Sequence, residues 1–172
     1  MAIPRLLILS DLFGGENPEW IKPYTDLLES KFEIQYYDVL ELANITISDL
    51  TEMDIHNEFL NGGIDKAVDN LLELEKGKVA VLGFSIGGMI AWKAALKGLK
   101  VSHFIAVSST RLRFETETPN CKLKLYFGNK DLNAPYLQWF IDLKVSNHFF
   151  ENQDHQLYLE RKNVALICNN FL

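Results

Sequence analysis

Apolar residues recur along the chain in two patterns, and each predicts a different secondary structure. Short runs that are almost continuously apolar or β-branched are typical of strands buried on both faces of a sheet. The first run starts at Arg5 and stops before Asp11. On this pattern we predict six strands, over residues 5–10, 32–39, 78–84, 101–107, 122–127 and 145–150.

Between these runs the apolar residues follow a helical period. From Ile64 they stand at positions i, i+3, i+4, i+7 and i+8, which is one face of a helix, and Gly77 ends the pattern. Asn17 followed by Pro18 predicts the capped start of an earlier helix. The polar segment 48–59 has no period, and we predict an irregular loop there. Further helices are predicted over residues 17–30, 86–96, 135–143 and 155–171.

Strands that alternate with helices predict the α/β class. We expect a three-layer α/β/α sandwich around a mostly parallel six-stranded sheet. No repeat, low-complexity tract or linker interrupts the pattern, so residues 1–172 are expected to form a single domain. Residues 108–121 are too few to hold an inserted lid domain.

The third strand runs into the pattern Gly-x-Ser-x-Gly, with Ser85 at its centre, and a helical pattern follows at once. Strand, sharp turn and helix in this order are the signature of a nucleophile elbow, which exposes the serine hydroxyl near a helix N-terminus. Gly83 and Gly87 remove side chains that would collide in so tight a turn, and Gly88 gives the helix room to pack on the strand.

A serine hydroxyl needs a base within reach, and the base needs an orienting acid. Asp131 follows the fifth strand, and His155 follows the sixth. The order serine, acid, histidine is that of the α/β-hydrolase arrangement. Asp131 could also be merely a residue of an ordinary turn, since aspartate is common in turns. Asp142 and Asp154 are rival candidates for the acid.

His155 is the one histidine of four that follows a predicted strand and precedes a predicted helix, and we expect it to be the base. His103 and His148 lie within strand patterns and suit structural roles. His56 lies in the irregular segment, where a solvated loop histidine is expected, although it could line a pocket.

The tetrahedral intermediate of acyl transfer also needs hydrogen-bond donors that face its oxyanion. The backbone N–H of Ile86, which follows the serine, is the first candidate. The loop of residues 10–15 after the first strand is expected to supply the second, with Gly14 and Gly15 allowing a tight fold. A plain strand-to-helix turn remains the alternative for this loop.

Residues 83–88, 128–131 and 154–155 together resemble the α/β-hydrolase superfamily over nearly the whole chain. The loop 11–14 is similar to that of the dienelactone-hydrolase branch, where an acidic residue precedes the oxyanion-hole donor. That similarity implies Leu12 as the second donor, whereas alignment to lipase-like members would select Phe13. The serine in place of that branch's cysteine, the missing first two strands and the missing lid mean that its substrate does not carry over.

Composition and charge limit the possible partners and the cellular location of the protein. The chain has 172 residues, 48% of them hydrophobic, which is enough for one sizeable core. A net charge of −6 without a basic run argues against a nucleic-acid partner. The N-terminal apolar run is too short for a membrane span, and it has neither the basic region nor the small-residue cleavage site of a signal peptide. We therefore expect a cytoplasmic protein in which Cys121 and Cys168 are reduced.

The expected function is a serine hydrolase that cleaves a small ester, thioester or related acyl substrate. This chemistry needs no metal or cofactor, and no metal-binding spacing is present. Phe13 and Phe84, with Trp20 nearby, are expected to line a shallow, open acyl pocket, although such aromatics are often core residues. The alternative is a non-catalytic binding protein on the same scaffold. The natural substrate and the oligomeric state stay open.

Overall fold

The computed structural model describes residues 1–172 and contains one six-stranded sheet in which every neighbouring pair of strands is parallel. The strand order is β2-β1-β3-β4-β5-β6, so β1 pairs with both β2 and β3. The predicted three-layer architecture is confirmed. The strands are β1 (Arg5–Leu9), β2 (Glu33–Tyr37), β3 (Val79–Phe84), β4 (Val101–Val107), β5 (Lys122–Gly128) and β6 (Ser146–Phe150).

Seven α-helices cover the two faces of the sheet, and short 3₁₀ turns cover residues 19–21, 112–114 and 157–159. Two helices, α1 and α7, pack together on one face, and the others cover the opposite face. The helices are α1 (Lys22–Leu28), α2 (Val39–Leu42), α3 (Glu52–Glu58), α4 (Ile64–Leu74), α5 (Ile86–Leu96), α6 (Leu137–Leu143) and α7 (Arg161–Cys168).

Strand β1 shows why its sequence is apolar throughout. Successive side chains of a strand point to opposite faces. Leu7 and Leu9 accordingly enter the core on the α5 side, and Leu6 and Ile8 enter the core beneath α1 and α7. All four residues are fully buried, so neither face of the strand tolerates a polar residue.

The strand order reverses at β1. The chain first moves from β1 to β2 on one side and then returns to β3 on the other. The loops that leave β1 and β3 therefore diverge and open a crevice at the carboxyl edge of the sheet, which is where open α/β sheets bind ligands. Residues 10–15 and the predicted elbow at Ser85 lie on the two sides of this crevice.

The prediction for residues 48–59 is wrong, because this segment contains helix α3. Thr51 Oγ accepts a hydrogen bond from the Asp54 N–H (3.1 Å), and the Asp54 carboxylate accepts one from the Thr51 N–H (3.0 Å). This reciprocal capping box starts the helix. Ile55 and Phe59 are the buried residues of this region, and the half-buried Leu50 packs against the same core; these apolar residues are too few and too irregularly spaced to reveal a period.

Two helix boundaries also differ from their predictions. Asn17 does not cap the first helix; it has a left-handed backbone (φ 51°), and a 3₁₀ turn precedes α1. The predicted terminal helix is interrupted at Glu160, whose extended backbone (ψ 115°) separates a 3₁₀ turn from α7. Period alone does not show such a break, because the apolar spacing continues across it.

Cys121 and Cys168 are unpaired; Cys121 packs against the core on the α5 side of the sheet, and Cys168 is buried on the other. Burial raises the pKa of the Cys121 thiol to about 11. None of the helices combines the length and the apolar character that crossing a membrane requires.

A buried carboxylate ties α4 to the first two strands. Glu75, just after α4, accepts hydrogen bonds from the Arg5 guanidinium (2.8 and 3.1 Å) and from the Tyr37 hydroxyl (2.5 Å). Burial raises the pKa of the Glu75 carboxyl, but the bonds from Arg5 and Tyr37 outweigh it, so the pKa lies below its ordinary value. The ionised form is therefore stabilised by folding.

We expect Glu75→Gln to lower the free energy of unfolding by about 2 kcal/mol at neutral pH, because it weakens charged hydrogen bonds to a buried group. The depressed pKa sets the sign of the pH dependence. The stabilisation is complete above the unfolded-state pKa of about 4.3 and is lost as the pH falls through the lower folded-state value. The difference between wild type and variant should shrink over that window in urea titrations.

The control is Glu73→Gln, in the last turn of α4 and two residues before Glu75. The Glu73 side chain is 84% exposed and its nearest cation, Lys76, is 3.7 Å away, so its removal should change stability by less than about 0.5 kcal/mol. Equal effects of the two substitutions would contradict the role given to Glu75.

Candidate active site

The elbow holds Ser85 in a backbone conformation that residues other than glycine rarely adopt. Its backbone has φ 51° and ψ −122°, between the end of β3 and the start of α5. Such strain persists only where the surroundings enforce it. The Ser85 N–H donates to the carbonyl of Val107 on β4 (2.9 Å), and its carbonyl accepts from the Gly88 N–H (3.1 Å).

Glycine allows α5 to approach the sheet closely at this point. A Cβ on Gly87 would lie 2.3 Å from the carbonyl oxygen of Ser10 and 2.8 Å from that of Leu9. A Cβ on Gly83 would lie 2.6 Å from the Cα of Gly88. The glycines are therefore required, as predicted, although the collision at Gly87 is with the end of β1 and not within the turn itself.

The three residues predicted as nucleophile, acid and base lie in one line of hydrogen bonds. Ser85 Oγ is 3.0 Å from Nε2 of His155, and Nδ1 of His155 is 3.0 Å from Oδ2 of Asp131. With its proton on Nδ1, the imidazole donates to the carboxylate and leaves Nε2 free to accept the serine proton. The Asp131 side chain is fully buried, and that of His155 is 29% exposed.

Backbone hydrogen bonds join the loop that carries Asp131 to the loop that carries His155. The Asn129 N–H donates to the carbonyl of Phe150 (3.0 Å), and the Lys130 N–H donates to that of Gln153 (3.0 Å). The second carboxylate oxygen of Asp131 accepts from the Asn133 N–H (2.9 Å). These bonds hold Asp131 and His155 at a fixed distance, although 24 residues separate them in the chain.

The rival acids lie elsewhere. Asp154 is exposed and accepts a hydrogen bond from the Gln156 N–H within its own turn (2.9 Å). Asp142 lies on the exposed side of α6 and accepts from Gln138 (2.7 Å). Neither carboxylate contacts the imidazole of His155.

The other histidines divide into two groups. His103 and His148 contact aromatic rings, those of Phe171 and Phe150, outside the crevice. His56 instead lines the cavity at Ser85, because helix α3 carries it there. The expectation of a solvated loop histidine was therefore wrong, and the pairing of Thr51 with Asp54 is the sequence signal that could have placed it on a helix.

A cavity of about 240 Å³ opens beside Ser85. Helix α3 forms one wall, so the site is less open than the sequence suggested. Leu12 and Phe13, the two candidate donors of the loop after β1, contribute to it, as does Ile86, the residue after Ser85. The lining residues are Leu12, Phe13, Glu52, His56, Ser85, Ile86, Thr110, Asn133, His155, Gln156 and Tyr158.

Of the two aromatic residues predicted to bind substrate, only Phe13 lines this cavity. Phe84 is fully buried on the opposite face of the sheet, where its ring packs against Trp20 and Tyr24 at 4.9 Å. Strand alternation explains the difference, since the residue before the elbow points away from the crevice. Phe84 is a core residue, and the half-buried Trp20 packs against the same core.

The loop after β1 distinguishes the two possible oxyanion donors. The Phe13 N–H donates to Oδ1 of Asp11 (3.1 Å), and the Gly14 N–H donates to the Asp11 carbonyl (3.2 Å). The Leu12 N–H donates to no group of the protein. Ile86 opens α5, where the first N–H groups have no partner within the helix. Leu12 and Ile86 thus offer free donors beside Ser85.

A second concavity, of about 760 Å³, lies over the edge strand β2 and contains none of these residues. It is lined by the carboxylates of Glu16, Asp38, Glu41 and Glu73 and holds no nucleophile with a base. We place the candidate site at the smaller cavity because the line of hydrogen bonds to Ser85 ends there.

No protein-family model and no curated protein sequence matches this chain. Solved structures do. A candidate hydrolase of the α/β superfamily from Xanthomonas campestris is 13% identical, with a TM-score of 0.72 over 98% of this chain and 97% of that one. A candidate dienelactone hydrolase from Klebsiella pneumoniae is 12% identical, with a TM-score of 0.72 over 99% of this chain and 85% of that one.

A carboxylesterase from Bacillus subtilis is 12% identical, with a TM-score of 0.62 over 96% of this chain and 84% of that one. At these identities the likeness concerns the course of the backbone, and it extends over almost the whole chain.

The close approach at Gly87 is open to test. Gly87→Ala should lower the free energy of unfolding by at least about 2 kcal/mol, despite alanine's better helix propensity, because backbone carbonyls cannot move aside. Urea denaturation measures the change. Gly77→Ala is the control, since a Cβ there meets nothing within 4 Å, and its effect should stay within about 0.5 kcal/mol. A neutral Gly87→Ala variant would contradict the packing described.

Proposed function

We propose, from the α/β-hydrolase fold that this chain adopts, that it is a serine hydrolase that cleaves a small ester, thioester or related acyl substrate. The observation that carries the proposal is the line of hydrogen bonds from Asp131 through His155 to Ser85, which ends in a cavity beside two free backbone donors. A serine activated in this way attacks acyl carbonyls.

In the proposed reaction, Ser85 Oγ forms a bond to the substrate carbonyl carbon while Nε2 of His155 takes its proton. Asp131 keeps the imidazole oriented and stabilises its cation. The carbonyl oxygen becomes negative and accepts hydrogen bonds from the N–H groups of Leu12 and Ile86. His155 then gives the proton to the departing alcohol or thiol, which leaves Ser85 acylated.

Water completes the cycle. His155 takes a proton from a water molecule that attacks the acyl carbon, and the same two backbone donors hold the second oxyanion. Collapse of this intermediate returns the proton to Ser85 Oγ and releases the acid. The positive end of α5 adds to the stabilisation of negative charge at this position.

The volume and the charge of the cavity lining favour a particular class of substrate. A volume of about 240 Å³ suits a short acyl group. No lysine or arginine lines it, whereas Glu52 contributes a carboxylate. Neutral or cationic substrates are therefore favoured over anionic ones, since a carboxylate on the substrate would find no positive partner.

Labelling tests the nucleophile directly. A fluorophosphonate probe should label the wild type and fail to label Ser85→Ala. Short-chain p-nitrophenyl esters should be hydrolysed, and His155→Ala should lower kcat/KM by at least about a thousandfold, the scale of such triads. Active-site titration and steady-state kinetics measure both effects.

His148→Ala serves as the matched histidine control, because this side chain stacks on Phe150 away from the cavity. Labelling that survives in Ser85→Ala, or equal losses in the two histidine variants, would overturn the assignment. A wild type that folds yet neither reacts with the probe nor turns over esters would favour the binding-protein alternative.

Charge selectivity has its own test. The wild type should hydrolyse acetylthiocholine and p-nitrophenyl acetate better than the anionic mono-p-nitrophenyl succinate. Glu52→Gln should narrow the gap in kcat/KM between the cationic and anionic substrates by about threefold to tenfold, and salt should weaken the effect because Glu52 is exposed.

Glu58→Gln is the control on the same helix, since Glu58 is exposed and lies outside the cavity lining. Its selectivity should match that of the wild type. If Glu52→Gln and Glu58→Gln gave the same selectivity, the proposed electrostatic role of Glu52 would be wrong.

A further inference from the structure

Asp11 is a buried carboxylate that forms no salt bridge. It is 4% exposed, and no lysine, arginine or histidine forms an ion pair with it. Its Oδ2 accepts a hydrogen bond from the Tyr158 hydroxyl (2.9 Å), and its Oδ1 accepts one from the Phe13 N–H (3.1 Å). Burial raises the pKa of this carboxyl, and both hydrogen bonds and the nearby imidazole of His155, which forms no ion pair with Asp11, oppose that rise. A buried charge is costly, so its position in the oxyanion loop needs a reason.

The hydrogen bonds of the loop supply one. Of the four N–H groups that follow Asp11, three are occupied. Those of Phe13 and Gly14 bind the side chain and the carbonyl of Asp11, and that of Gly15 binds Asp38 Oδ2 (3.0 Å). Only the Leu12 N–H is left unpaired, in the wall of the cavity. The carboxylate of Asp11 thus selects which backbone donor of the loop stays available.

Tyr158 connects this loop to the loop of the base. It stands three residues after His155, and its ring centroid lies 6.3 Å from the imidazole. The tyrosine itself is held firmly, because its carbonyl accepts from the Tyr24 hydroxyl (2.9 Å) and its ring packs against Trp20 at 5.0 Å. The Tyr158 hydroxyl is therefore held in a fixed position when it donates to Asp11.

We infer that Asp11 and Tyr158 are a positioning pair that aligns the Leu12 N–H with the oxyanion and sets the distance between the oxyanion loop and the His155 loop. The inference rests on the proposed function, because only an oxyanion needs that alignment. Neither residue takes part in bond making. Their effect is expected on the transition state, where the oxyanion forms, and not on binding of the substrate carbonyl.

The test is Tyr158→Phe, which removes one hydroxyl and preserves the ring. We expect kcat to fall about tenfold with KM unchanged within about twofold, less than the loss of a whole oxyanion donor. Affinity for an alkylboronic acid, which forms a tetrahedral adduct on a reactive serine, should fall by about the same factor as kcat/KM. A merely structural role would lower stability without linking these two quantities.

Tyr37→Phe is the matched control. It also removes a tyrosine hydroxyl from a buried carboxylate, Glu75, but outside the cavity lining. It should lower stability and leave kcat unchanged. If Tyr158→Phe does not fold, Asp11→Asn replaces it as a variant of nearly the same shape. In a double-mutant cycle the two changes should be clearly less than additive, since they break one interaction.

Ser85→Ala, measured in parallel, distinguishes a failure of the proposed function from a failure of the positioning pair. Retained turnover in Ser85→Ala would overturn the proposed function. Lost turnover in Ser85→Ala together with an unchanged kcat in Tyr158→Phe, or with a rise in KM alone, would overturn the positioning pair and leave the proposed function standing.

Discussion

The contact between the start of α5 and the ends of β1 and β3 is the constraint on which the carboxyl edge of the sheet depends. Gly87 touches the carbonyls of Leu9 and Ser10, so the turn at Ser85 is held against the loop that leaves β1. The parallel pairing of Leu9 with Gly83 brings these two strand ends to the same level. A backbone conformation as strained as that of Ser85 persists only with this support. The free N–H groups of Leu12 and Ile86 come together as a consequence.

Unfavourable features occur at this edge. Ser85 combines φ 51° with ψ −122°, which lies outside the left-handed helical region, and Asp11 is a buried carboxylate without a salt bridge. Glu75 shows the contrast, because it is equally buried but is paired with Arg5 and Tyr37. A strained backbone and a buried carboxylate without a salt bridge are typical of functional sites. Their cost is offset by the two hydrophobic cores on the faces of the sheet.

Sequence patterns predicted the strands well because a strand covered on both faces must be apolar throughout. They predicted α5 and β4 at their observed bounds. Helix α3 was missed, since its start depends on hydrogen bonds between Thr51 and Asp54 and not on an apolar face. Because α3 was not predicted, His56 and Glu52 were not expected to line the cavity together. Phe84 was misplaced for a different reason. Proximity to Ser85 in the chain says nothing about the face to which a side chain points.

The sequence by itself determined the class of fold, the position of the elbow and the chain order of Ser85, Asp131 and His155, because buried strands and tight glycine turns leave local patterns. Only the tertiary structure decided which groups meet. It turned Asp154 outward, occupied the Phe13 N–H while leaving that of Leu12 free, and joined Asp11 to Tyr158 across 147 positions of the chain. Hydrogen bonds between distant residues depend on strand order and register, which no local spacing of residues encodes.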